Sequence, residues 1–389
     1  MRSTSEAAVA AGISLLALAI YAITLAPSVP GGDSGELIAA AYTGGVPHPP
    51  GYPLYTLLAW GISGIPFGEV AFRVNALSAL FDALAAGVLC CAVARWSRSV
   101  GAGLLAAGLF AFAPLIWSYA VVAEVFALNN LLVCCLLYCL VRFADSPSLR
   151  WASWGALTVG LGLSNHHTFV VYAIPVVFYV AWRGRGFLWT PRALAQVLAL
   201  FVLGVLPYLY LPIAGAARNA VTWGDFSSLE TILHHVLRRD YGTFQLGAGE
   251  TGQWGAWGRW FLVMQALFRN TLYVGLPVAF LGCVYGAMGA RKDRDVVAVM
   301  LVGWLAYLAM IGFLFNLAIE SPVLVGVEAR FWQMAAIPVF AWTGLGVQRL
   351  VSRLVPGNSV ETVVVTIAVA AIGLQCAMHF QAASQRDNF

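Results

Sequence analysis

Residues 31–55 read GGDSGELIAAAYTGGVPHPPGYPLY, an island of acids, glycines and prolines within an otherwise very apolar first 95 residues. Asp33 and Glu36 stand three apart ahead of LIAAAY, which puts them on one side of a short helix. A pair at this spacing serves as an N-cap with its capping-box partner, or as a general base with a supporting carboxylate. The roles are compatible, because a capped Asp is also rigidly held. Gly31, Gly32, Gly44 and Gly45 allow tight turns or the close approach of a ligand. His48 and Tyr52 lie in PHPPGYP, where successive prolines fix several backbone angles. His48 is there either an incidental turn residue or a hydrogen-bond donor to an anionic or hydroxylated ligand.

Glu124 is a lone carboxylate among apolar residues. It reads as a solvated loop residue or, at membrane depth, as a functional candidate. Asn165, His166 and His167 mark another polar boundary. Adjacent histidines on a helix point about 100° apart, and no His-x-x-x-His or Cys-x-x-Cys spacing supports a metal, so none is expected. Arg238 and Arg239, followed by Tyr241, and Arg330 beside Glu328 are the natural anion binders. Snorkelling at a membrane surface is their other reading. No phosphate-binding glycine motif is present, so no nucleotide cofactor is indicated. These residue types offer acid–base chemistry opposite cationic groups suited to a departing anion.

The elements that must position them are membrane helices. Of 389 residues 61% are hydrophobic and 10% charged, far below the roughly 25% charged residues of soluble domains. Eleven segments are long enough to span, or nearly so: 7–26, 70–94, 100–117, 122–143, 150–164, 167–182, 193–213, 271–290, 296–315, 331–349 and 362–380. The piece 53–65, bounded by Pro53 and Pro66, is shorter and reads as a re-entrant or interfacial helix. One integrated domain over 1–389 is expected, with a first external loop at 27–69 and a large one at 214–270. The N-terminal run lacks a small-residue cleavage pattern and reads as a retained helix. All seven cysteines fall in apolar runs and suggest no disulfide framework.

Sidedness follows from charge. With the N-terminus cytoplasmic, that side holds 13 of the 21 Lys and Arg against five of the 17 acids, as the positive-inside rule requires. Asp33 and the other candidates then lie outside the cytoplasm. In the large external loop, SSLE followed by Leu229, Ile232, Leu233, Val236 and Leu237 predicts a capped amphipathic helix along the membrane surface, its histidines and arginines on or beside the other face. The run GAGETGQWGAWGRW suggests a flexible return to the interface. A net charge of +4, scattered among loops, does not point to nucleic acid.

The 31–55 stretch followed by PFGEVAFRVNALSALF, and later TWGDFSSLETILHHVLRRDYGTF, resembles the signatures of the transmembrane-protein-260 type of protein O-mannosyltransferases and their bacterial relatives. The resemblance implies an all-α GT-C type bundle of about eleven transmembrane helices with external amphipathic helices, in a bacterium at the inner membrane. It implies transfer of a sugar, mannose or another hexose, from a polyprenyl-phosphate carrier to a hydroxyl acceptor such as protein Ser or Thr. Asp33 occupies the place of the catalytic base, supported by Glu36. His48, Tyr52, Glu124, Asn165, His166, His167, Arg238, Arg239, Tyr241, Glu328 and Arg330 would bind substrate. A transporter or flippase for a lipid-linked or polar substrate is the rival reading, with Asp82 as its mid-span acid. A noncatalytic assembly subunit is a third.

Overall fold

The structure is a computed structural model that describes residues 2–217, 219–243, 245–246 and 255–387. Its described part is almost entirely helical. Apolar residues run too densely for strands that alternate faces, and in hydrocarbon a helix satisfies its own backbone groups. The chain opens with α1 (Arg2–Thr24), α2 (Ser34–Thr43), α3 (Pro53–Ser63) and α4 (Val70–Ser97). Next come α5 (Val100–Phe112), α6 (Pro114–Ala120), α7 (Val125–Asp145), α8 (Leu149–Asn165) and α9 (Val170–Arg183). After the single-turn α10 (Arg185–Leu188) follow α11 (Pro191–Val205), α12 (Tyr210–Ala216), α13 (Leu229–Val236) and α14 (Ala256–Asn270). The chain closes with α15 (Gly275–Ala287), α16 (Arg291–Leu314), α17 (Pro322–Ala329), α18 (Trp332–Leu354) and α19 (Val360–Ala383).

Each of the eleven expected spans falls on helix. Among the described residues, seven helices are long and apolar enough to cross a membrane, or nine if each of two bent pairs is one span. Two further segments, α8 and residues 167–183, are 17 residues long. One bend of 61° separates α5 from α6, because Ala113 before Pro114 is driven to extended backbone. The other, 95° between α14 and α15, turns through Leu272 and Tyr273 at positive φ. The expected span 271–290 is therefore the second arm of a broken pair that begins at Ala256.

Helices α4, α7 and α18 are buried over most of their length, whereas α1, α11 and α19 face outward. Polar residues are rare in the three central helices and are satisfied where the loops above need support. On α4, Asn75 donates from Nδ2 to the Ala26 and Ser28 carbonyls at 2.9 and 3.0 Å, fixing the approach to Asp33. One turn on, the Ser78 hydroxyl donates to the Glu124 carbonyl at 3.3 Å and accepts from its N–H at 3.1 Å. Deeper still, Asp82 accepts from Asn130 Nδ2 at 2.9 Å, and the same amide donates to Gln333 Oε1 at 2.8 Å. This ladder ties α4, α7 and α18 together beneath the loops.

The outer loops are joined directly. Val46 pairs with Thr222 as an isolated parallel bridge, its N–H donating to Val221 O at 3.0 Å and its carbonyl accepting from Trp223 N at 2.8 Å. Gly45 is required there, because a Cβ would lie 1.7 Å from the Val221 carbonyl oxygen. The large loop is thereby clamped onto the first one.

Candidate active site

The site grows from the ends of the central helices. Asp33 is the residue before α2, yet its side chain makes no capping bond; Arg330 claims it instead. A single guanidinium nitrogen, Arg330 Nη1, donates to Asp33 Oδ2 at 2.6 Å and to Glu124 Oε1 at 2.9 Å. Three residues nearly 300 positions apart are thus joined through one atom. Glu124 precedes α7 and Arg330 precedes α18, so both charges sit where helices emerge from the bundle.

Burial sets the electrostatics. It pushes the Glu124 carboxyl up to about 7, against the pull of Arg330 and with a further push from the Asp33 charge. Burial also opposes the charge of Arg330, but Glu124 and Asp33 outweigh it and hold the guanidinium pKa above its ordinary value. Arg330 is a permanent cation here.

Glu36 does not hold Asp33 directly. Its Oε1 accepts from the His48 backbone N–H at 2.7 Å, and Oε2 lies 2.7 Å from His48 Nδ1. The Tyr52 hydroxyl lies 3.0 Å from the other ring nitrogen, Nε2. The PHPPGYP segment bends tightly to do this, with a cis Pro49–Pro50 bond and both Gly51 and Tyr52 at positive φ. A Cβ on Gly51 would meet His235 Nε2 at 3.0 Å.

Asp33, His48, Tyr52, Glu124, Arg238, Tyr241 and Arg330 line one polar pocket of about 170 Å³. Beside it runs a much larger groove of about 1170 Å³, almost wholly apolar, between α9 and α16. Arg238, Leu246 and Phe331 line both. Arg238 is buried and bent at φ +52, with its guanidinium over the Tyr241 ring at 4.9 Å and bonded to the Gln245 and Leu246 carbonyls. It stands where the polar pocket opens into the groove.

The remaining expected residues part company. His167 lines the groove, while His166 stacks between it and Tyr52, with centroids at 4.8 and 5.5 Å. Asn165 is buried and donates to the Val125 carbonyl at 3.1 Å, steadying the turn after Glu124. Three expectations are corrected. Arg239 is exposed and lines neither cavity, because the chain at Arg238 reverses and turns the two arginines apart. Glu328 does not accompany Arg330. It bonds Arg259 Nε at 3.1 Å, and burial raises its carboxyl to about 7 despite that partner. The capping box of α13 runs from Ser228 to Thr231, one residue later than SSLE suggested.

The leucine face of α13 is turned outward, as a helix lying along a membrane surface requires. Leu229, Leu233 and Leu237 are exposed, whereas His235 is buried against Phe226 and the Gly51 and Gly224 backbones. Burial lowers the His235 pKa to about 4, so it packs as a neutral ring. The outward leucines suit a lipid surface. Of the flexible return, residues 247–254 lie outside the described residues; Trp257 beyond them is exposed. Sequence reasoning missed Asn75, Ser78 and Arg259. Their signal was a polar side chain recurring at i and i+3 in an apolar run, and an Arg in the first turn of an amphipathic helix.

Fold and site together define a polytopic helical membrane protein with an acid–arginine pocket open to an apolar groove. The crystal structure titled ArnT from Cupriavidus metallidurans bound to undecaprenyl phosphate shares the fold, with a TM-score of 0.59 at 14% identity, covering 95% of this chain and 73% of that one. Residues 33–186 match the family described as Protein O-mannosyl-transferase TMEM260 N-terminal domain. The mouse protein named Protein O-mannosyl-transferase TMEM260 is 37% identical over 95% of this chain and 54% of its own length. The Dictyostelium discoideum protein named Protein O-mannosyl-transferase tmem260 is 30% identical over 95% and 50%. The chain therefore spans about half the length of the curated relatives it matches.

Proposed function

We infer that this chain is a glycosyltransferase that moves a hexose, mannose by its relatives' name, from a polyprenyl-phosphate carrier to a hydroxyl of a protein acceptor with inversion. The observation that carries the reading is the junction at Arg238, where a small polar pocket with an acid–arginine cluster meets a long apolar groove. An isoprenoid chain fits the groove, its phosphate meets Arg238 and Arg330, and its sugar enters the polar pocket. The structural neighbour bound to undecaprenyl phosphate supports a carrier of this kind.

In this reading Asp33 takes the proton of a Ser or Thr hydroxyl as its oxygen attacks the anomeric carbon. The bond to phosphate breaks with its electron pair, and the developing dianion is met by the two guanidiniums. Glu124 holds Arg330 in place. The basic bias of the opposite loops supports a non-cytoplasmic location for this chemistry. A flippase is the weaker reading, because the acids and arginines gather in one pocket at the helix ends rather than around the mid-span Asp82.

The test is transfer from polyprenyl-phosphate mannose to a Ser/Thr peptide by purified protein, read as a hexose mass increment. Asp33→Asn is expected to lower the rate about 10²- to 10⁴-fold with folding intact. Arg238→Ala is expected to raise the donor KM at least tenfold. An unmodified peptide with every polyprenyl-phosphate hexose offered would sink the reading.

A further inference from the structure

Glu36 and His48 form a dyad whose geometry fixes where the imidazole proton sits. An ionised carboxylate only accepts, and Glu36 offers one oxygen to the His48 backbone N–H and the other to Nδ1, each at 2.7 Å. The ring proton is therefore on Nδ1, which leaves the Nε2 lone pair free to accept. It faces the Tyr52 hydroxyl at 3.0 Å and Asp33 Oδ2 at 3.8 Å. Burial raises the Tyr52 pKa above its usual value, so the phenol stays protonated and donates to Nε2.

Exposure gives the dyad a direction. The His48 side chain is 15% exposed, Asp33 34% and Glu36 29%. A sugar in the pocket and a peptide at its mouth would cover Asp33, which lines that pocket. Glu36 does not line it, so it keeps its path to water. The proton that Asp33 receives then has one built way out.

We propose that the Glu36–His48 dyad is the proton outlet of the site, receiving through His48 Nε2 the proton that Asp33 takes from the acceptor. The inference rests on the glycosyl-transfer reading above. The acceptor O–H breaks as the new C–O bond forms, and its proton goes to Asp33 while the electron pair of the sugar–phosphate bond leaves with phosphate. Tyr52 swings from Nε2, the Asp33 proton moves there, and Glu36 stabilises the resulting imidazolium. A ring proton leaves by way of Glu36 to water, and exchange with water restores the starting tautomer. His48 lines the pocket but acts through Asp33 in this scheme and forms no bond to the reacting atoms; it is a positioning and relay residue.

The charged and titratable groups around His48 are Asp33 and Glu36 from α2, Tyr52, Glu124, His166, His235, Arg238 and Arg330. Of these, Glu124 near 7 could also produce an acid limb in a rate profile. The variants separate the two, because only the His48 limb disappears with the imidazole.

The experiment measures transfer from polyprenyl-phosphate mannose to peptide between pH 5 and 9 for wild type, Asp33→Asn, His48→Gln and Glu36→Gln. Wild-type kcat is expected to fall on the acid side, because an imidazolium has no lone pair to receive the Asp33 proton. In His48→Gln, kcat falls about tenfold or more at pH 8, the acid limb is lost, and the donor KM stays within twofold. Glu36→Gln is expected to show a similar drop, since a Gln amide cannot accept from both His48 donors. If Asp33→Asn is inactive while His48→Gln matches wild type in kcat and keeps its acid limb, the outlet is overturned and the transfer reading stands. A drop in kcat confined to variants with lowered melting temperature, with the limb retained, also overturns it. Absence of transfer by wild type overturns both.

Discussion

Two ion clusters of this molecule are built with opposite stoichiometry. At the site, one Arg330 nitrogen is shared by the carboxylates of Asp33 and Glu124, with Arg330 8% and Glu124 5% exposed. At the other end of the bundle, the one carboxylate of Asp145 is shared by Arg95 at 3.0 Å and Lys292 at 2.7 Å, with Arg95 40% exposed. The first carries an excess acid around a buried guanidinium. The second carries an excess cation around a partly exposed carboxylate. Buried, unequal charge is a reservoir of basicity and of fixed field, whereas exposed charge of the same strength is mostly screened. The contrast favours the first cluster for the proposed chemistry, and the basic second one suits a cytoplasmic face in that reading.

Breaking the first cluster should have the largest effect. Arg330→Ala leaves Glu124 buried without its cation, which costs about 3–5 kcal/mol, and transfer is expected to fall at least about 10²-fold. Melting in detergent and the peptide assay check both. Adding Glu124→Gln to Arg330→Ala should recover stability without activity, since it removes the stranded charge but not the need for Arg330.

A smaller effect concerns pH. The folded-state pKa of Glu124, about 7, lies above its ordinary 4.5. Between those values the folded chain binds a proton that the unfolded chain does not. The stability from this group is therefore present below about pH 4.5 and is lost as the pH rises through about 7, by a few kcal/mol at most. Glu124→Gln should flatten this decline in melting temperature, though not abolish it, because Glu328 is shifted in the same direction. An unchanged decline would place the titration elsewhere.

The smallest effect is expected in the second cluster. Asp145→Asn should change stability by about 1 kcal/mol or less and leave transfer within twofold. A large loss of transfer would mean that the two ends are coupled and that the contrast drawn between them is false.

Much of the arrangement was legible from residue types. Every expected span fell on helix, because apolar length and the positions of prolines are local properties. Seven of the thirteen candidate residues line the polar pocket, and the acid–histidine island at 31–55 is its centre. The illegible parts were pairings. Glu36 could as well have capped α2, and only the return of His48 over it selects the dyad. Arg238 and Arg239 are the same residue type in adjacent positions, and a backbone turn at φ +52 sends one inward and leaves the other exposed. Glu328 stands two residues from Arg330, yet it faces Arg259. Of the adjacent His234 and His235 on α13, only packing on Gly51 and Gly224 selects His235 as the buried ring.

The sequence by itself determined that the chain is a helical membrane protein with its acids, histidines and key arginines in alternate loops of one side. Hydrophobic length, proline geometry and charge bias act locally, so they are written in local order. Only the tertiary structure decided which of those side chains share an atom. Arg330 joins Asp33 and Glu124 because α4, α7 and α18 pack as one bundle, and Asn75 and Ser78 hold the intervening loops at its outer end. That convergence depends on helix packing across hundreds of residues, which no spacing within the chain encodes.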